Sequence, residues 1–116
     1  MTAREFAEAA EREWDLMPKP LLKEVSGGLI VMASDKRLSR SRATVVLGEY
    51  QRDLAGRRVV LYYGSFQRIL GDHDQQSWLE QIRKTIGHEL RHHIEDLAGR
   101  ADLAREDYLK YRGDRR

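Results

Sequence analysis

A chain of 116 residues has room for one domain built on one modest core, and a single domain over residues 1–116 is expected. Charged residues make up 34% of the sequence and apolar residues 41%, no apolar run approaches the ~18–20 residues that cross a bilayer, and the start is charged rather than leader-like; these features predict a cytoplasmic protein without a membrane partner. Cysteine is absent, which excludes disulfides, thiolate catalysis and thiolate metal sites, and a net charge of only +2 disfavours nucleic acid as the partner.

Residues 3–16 are predicted helical, because Phe6, Ala9, Ala10, Trp14 and Met17 recur at near-helical spacing among Glu and Arg. Thr2 is placed to cap this helix, with Glu5 completing a capping box. Pro18 and Pro20 end it, and residues 21–25 are read as a short second helix. Ser26, Gly27 and Gly28 form a turn before an apolar strand over 29–33. The basic stretch 34–43 is read as a solvated loop, since no aromatic residue is interleaved with its charges. Residues 44–50 and 58–63 are β-branched and aromatic, and with Gly56 between them they predict a hairpin. Gly64 and Ser65 should end the second strand, 66–70 a helical turn, and 71–74 a loop. A long helix is predicted over 75–97, stopped by Gly99, with a last short helix over 103–111. That order of elements is α+β.

Within the long helix, His88, Glu89 and His92 form H-E-x-x-H. Residues four apart on a helix stand about one turn, ~5.4 Å, apart on one face, so two imidazoles can aim at one cation ~2.0–2.1 Å from each. Glu89 lies at the edge of that face, positioned to take a proton from water activated by the metal. Ile82, Ile86, Leu90, Ile94 and Leu97 fall on one stripe that should bury, leaving His88 and His92 nearly opposite, with Gln81, Thr85 and Glu95. A zinc site needs a third protein ligand. No H-x-x-G-x-x-H extension supplies it, because Glu95 and Ala98 stand at those positions. If the chain turns back at Gly99, Glu106 is the first choice, Asp107 the alternative and Asp102 third. Glu95, on the same straight helix, is read not as a ligand but as either a partner of His92 or a solvated surface acid. His93 is read as a structural histidine, Arg91 as a salt-bridge partner of Glu95 or Asp96, and His73 as exposed. Tyr62 and Tyr63 alternate across a strand, so one could present a polarising hydroxyl to the cleft, although strand tyrosines are usually packing, and Trp14 and Trp78 should be core.

The chain resembles the minimal zincin-like metallopeptidases of bacteria. The resemblance runs from the strand over 45–50, through 58–66, to the segment 82–93 that carries the motif and its double histidine. In that group the motif is followed by His, an apolar residue and Gly, then an acid. Here Glu95 replaces the Gly, and residues 96–101 intervene before the acids, which extends the motif helix. The resemblance implies a minimal zincin-like fold: an N-terminal helix, a small sheet, the motif helix and a short C-terminal helix. It also implies one zinc ion per chain and hydrolysis of a peptide or protein substrate, with Glu89 as general base. Strand 59–63, if at a sheet edge, could hold an extended substrate. The alternative expectation is a non-catalytic zincin-fold module that acts through protein contacts.

Overall fold

The computed structural model describes the backbone of residues 1–37 and 44–111, and side chains up to residue 99. Helix α1 (Ala3–Asp15) opens with the expected capping box: the Thr2 hydroxyl accepts from Glu5 N, and the Glu5 carboxylate accepts from Thr2 N. A one-turn helix α2 (Lys19–Leu22) follows the first proline. Strands β1 (Leu29–Met32), β2 (Gly48–Asp53) and β3 (Gly56–Tyr62) form one sheet in the order β1-β3-β2, with β1 parallel and β2 antiparallel to β3. Helix α3 (Tyr63–Leu70) continues directly from β3, and α4 (Gln75–Tyr111) is the last described element. The mixed α+β architecture expected from the order of elements is the one observed.

Phe6, Ala9 and Ala10 of α1 pack with Val59 and Leu61 of β3, Phe66 and Leu70 of α3, and Trp78, Ile82, Ile86 and Leu90 of α4. The core is therefore the seam where α1, α3 and α4 meet the sheet. Glu13 on α1 takes a two-pronged contact from Arg83 on α4, at 2.8 and 3.3 Å, which fixes how these helices lie together. Trp78 is fully buried, while Trp14 packs against the core only in part.

Several boundaries differ from the expected ones. The first hairpin strand begins at Gly48, not residue 44, because Val45 and Val46 turn away from β3 to pair with Arg37 and Lys36. Tyr63, Gly64 and Ser65 begin α3 rather than end a strand. Gly64 is needed there, since a methyl group on it would lie 2.5 Å from Asp35 N and 2.6 Å from Ser34 C. Strand 59–63 could hold an extended substrate only if it lay at a sheet edge, and β3 is instead central and paired on both sides. The edge beside α4 is β2.

The largest difference concerns α4, which does not stop at Gly99 and turn back into a separate C-terminal helix. It runs unbroken for 37 residues. Gly99 does not adopt the positive φ of a helix-ending glycine. A lone Gly costs a helix only about 1 kcal/mol, and its neighbours Leu97, Ala98, Arg100 and Ala101 are strong helix formers.

Candidate metal centre

His88 and His92 lie on the exposed side of α4, and Glu89 between them is buried. The helical spacing stacks the two imidazoles at 4.7 Å between ring centroids, nearly perpendicular. Their Nε2 atoms approach to 3.2 Å, with one ring donating its N–H to the other. Two nitrogens each ~2.0–2.1 Å from a tetrahedral ion stand about 3.3 Å apart, so the separation of this pair matches that of two ligands on one cation. On the far side of the His92 ring, Nδ1 lies 3.4 Å from Oε1 of Glu95, where a carboxylate fixes tautomer and ring orientation. Glu95 thus takes the partner position expected of it. Thr85 is buried one turn below Glu89, its hydroxyl donating to the Gln81 carbonyl at 2.8 Å.

The buried stripe of α4 departs from the expected one beyond Leu90. Ile82, Ile86 and Leu90 are buried, but Ile94 is exposed and His93, at 2% exposure, takes its place. The helix meets β2 there through polar side chains. Glu89, His93 and Asp96 occur at i, i+4 and i+7, and all three converge on Tyr50. The Tyr50 backbone N–H lies on the side of Glu89 and favours the charged form of its carboxylate. His93 Nδ1 lies 3.1 Å from the Tyr50 hydroxyl, which donates to Asp96 Oδ2 at 2.9 Å. Asp96 is further held by Arg52 at 2.6 Å and Arg57 at 3.4 Å, so it, not Arg91, anchors the ion pairs of this turn. Tyr50 was not among the residues singled out in the sequence. The polar stripe at 89, 93 and 96 was a visible sign that α4 grips something, but its partner lies more than 40 residues away in the chain.

Electrostatics follow from this packing. Burial raises the Glu89 pKa above the ordinary carboxylate range, although the charges of His88 and His92 and the Tyr50 N–H pull it down. Burial, reinforced by Arg57, lowers the pKa of His93. The Tyr50 hydroxyl is pushed up to about 12 by burial and by Asp96, so it remains a donor. At the neighbouring edge, Glu49 accepts from Lys36, from the Tyr62 hydroxyl at 2.7 Å and from Gln51 at 3.1 Å; burial raises its pKa but these donors outweigh it, and the net shift is downward. Tyr62 borders neither of the cavities beside Glu89 and reaches the site only through its bond to Glu49, while the Tyr63 hydroxyl donates to the Met1 carbonyl.

Two cavities flank Glu89. One, of about 840 Å³, is bordered by Lys36, Glu49, Arg52, His92 and Glu95; the other, of about 480 Å³, by Val45, Leu47, Gln81, Lys84 and His88. Both include Gly48 and Glu89, which makes them two arms of a groove between α4 and the chain from Val45 through β2. Gly48 lies where β2 packs closely on α4. A methyl group there would lie 2.8 Å from Thr85 Cγ2 and 3.0 Å from Leu61 Cδ2.

Among the described residues no third His, Cys, Asp or Glu joins the histidine pair. The side chains of Asp102, Glu106 and Asp107 lie outside the described residues. However, the turn at Gly99 that would return them to the pair is not formed, and an unbroken α4 carries position 106 about 21 Å along the axis from His92. His73 is exposed in the loop before α4, its ring against the Leu70 carbonyl, away from the groove. In the basic stretch, Lys36 pairs with Glu49 and Arg37 lies 3.4 Å from Asp35, while residues 38–43 lie outside the described residues. Among the described residues no helix is long and apolar enough to cross a membrane.

Comparison with known proteins agrees with this geometry. No curated protein matches the chain. Among solved structures, it is similar to a conserved hypothetical protein from Thermo thermophilus, at 33% identity over 85% of this chain and 99% of that one, with a TM-score of 0.74. The family profile of zincin-like metallopeptidases matches residues 38–108, well over half the sequence and the whole of the motif region. The chain belongs to the zincin-like metallopeptidase family.

Proposed function

We propose that this protein is a zinc-dependent peptidase in which His88 and His92 hold the ion and Glu89 manages the proton. The observation that carries this proposal is the 3.2 Å separation of the two Nε2 atoms, poised beside a buried carboxylate and open to a groove. Zinc, when bound, would polarise an amide carbonyl and bring the pKa of water towards ~7. Glu89 receives the proton of the attacking water on its carboxylate and delivers it to the departing amine nitrogen. Its raised pKa suits that exchange, because a base closer to the working pH holds the proton better without retaining it. Glu95 orients His92 so that Nε2 faces the shared point. An extended peptide would lie in the groove along β2, with Glu89 midway. Lys36, Arg52 and Glu95 on one arm, and Gln81 and Lys84 on the other, offer polar contacts to its side chains.

A non-catalytic module acting through protein contacts is favoured by one observation: no third ligand joins the pair among the described residues. The two proposals separate on a single variant. Glu89→Gln should keep zinc at one ion per chain yet lose on the order of 10²–10⁴-fold in turnover of a mixed peptide library. Undiminished cleavage by that variant would exclude Glu89 as the base, and no cleavage by the wild type, with zinc bound, would favour the module.

A further inference from the structure

Tyr50 is held at both ends by one face of the motif helix. Its hydroxyl lies 3.1 Å from His93 Nδ1 and 2.9 Å from Asp96 Oδ2, and its backbone N–H, left free by the strand ladder, favours the charged form of Glu89. The strand register explains how one residue reaches both. Tyr62 N donates to Leu47 O, so the hydrogen-bonded pairs of the β2–β3 ladder are the alternate ones, Glu49 with Val60 and Gln51 with Arg58. Tyr50, opposite Val59, belongs to the other set, and its N–H points away from β3 towards α4. Its ring then runs along α4 and packs against His93 at 5.4 Å between centroids. Asp96, only 17% exposed, is fixed in turn by Arg52 and Arg57 from β2 and β3.

We propose that Tyr50 is the positioning residue of this site: the hydroxyl clamp of His93 and Asp96 sets the height of β2 against α4, and the strand's N–H thereby holds the Glu89 carboxylate beside the histidine pair. A tyrosine whose only task was packing would have no use for a buried His and a half-buried Asp on its hydroxyl. The two hydroxyl contacts are long-range in sequence, and they tie one strand residue to successive turns of one helix. The consequence for catalysis rests on the peptidase proposal above, whereas the consequence for the Tyr50 amide does not.

The test combines two readouts on the full chain loaded with zinc. Amide hydrogen exchange at Tyr50, followed by NMR, reports whether its N–H is held. Kinetics on a peptide cleaved by the wild type report kcat and KM separately. Tyr50→Phe should speed exchange of that amide by on the order of tenfold and lower kcat by a similar factor, with KM and zinc stoichiometry unchanged. Asp96→Asn should act in the same direction, and the double variant should be little worse than either single one, as expected of one shared device. Tyr63→Phe removes a hydroxyl of the same kind outside the site and should move neither readout. The proposal is overturned if the Tyr50 amide exchanges as slowly in Tyr50→Phe as in the wild type, or if exchange quickens while kcat falls no further than in Tyr63→Phe. If the wild type cleaves no peptide, the peptidase proposal fails and the exchange result alone decides the role of Tyr50.

Discussion

At the scale of single residues, the site depends on two contrasting demands, close approach and polar satisfaction. Gly48 meets the first. With a methyl group 2.8 Å from Thr85 Cγ2, Gly48→Ala should destabilise the protein by about 1–3 kcal/mol, and adding Thr85→Ser, which removes that Cγ2, should recover part of the loss in urea titration. His93 meets the second: it is buried, bonded to Tyr50, and its pKa is lowered by burial and by Arg57. A lowered histidine pKa means that the unfolded chain binds the proton more readily than the folded one. The contribution of neutral His93 is therefore complete above the unfolded value of ~6.5 and declines as pH falls below it, towards the folded value. Asp96 adds to the acid side. Burial opposes its ionisation, but the Tyr50 hydroxyl and the two arginines outweigh it and lower its pKa, so its contribution is lost only at pH below the ordinary aspartate value. The His93 contribution in the metal-free protein should thus fade from about pH 6.5 downward, against the opposite contribution of Glu89, so that His93→Gln should lose less stability than the wild type over the upper part of an acid titration.

At the scale of elements, what was legible in the sequence was what is local. The capping box of α1, the apolar run of β1, the hairpin and the motif helix each carry their signal within a few residues, and each is present in the structure. His88, Glu89 and His92 were legible for the same reason: helical periodicity alone decides that two imidazoles four apart meet. Tyr50, Asp96 and the sheet order were not, because they depend on which strand α4 packs against, and neither spacing nor composition states that. The boundary at residue 44 was misplaced because β-branched residues signal an extended backbone without naming the partner, and here Val45 and Val46 pair with the chain before β2. The missing stop at Gly99 shows the limit of reading a glycine as a cap when helix formers stand on both sides. It carries its own consequence. Since α4 takes positions 106 and 107 about 21 Å and beyond from His92, Glu106→Ala and Asp107→Ala should leave zinc affinity unchanged. A loss in either variant, measured by competition with a chelator, would mean that the chain does return to the site.

At the scale of the whole molecule, the core and the site occupy different faces of one helix. Ile82, Ile86 and Leu90 anchor α4 in the core shared with α1, α3 and β3, and this leaves the histidines free to face the groove. Rigidity at the pair comes from that core and from the polar seam against β2. Zinc that binds only the folded chain should in turn stabilise it, by about 2.7 kcal/mol at a hundredfold excess over Kd, and a chelator should remove that increment in thermal melts. The most direct test of the account is a zinc titration of the wild type beside His88→Ala and His92→Ala. One ion per chain is expected in the wild type, and each substitution should weaken binding by two orders of magnitude or more, since either imidazole alone leaves a single donor. Equal zinc binding in all three proteins, or none in the wild type, would contradict it.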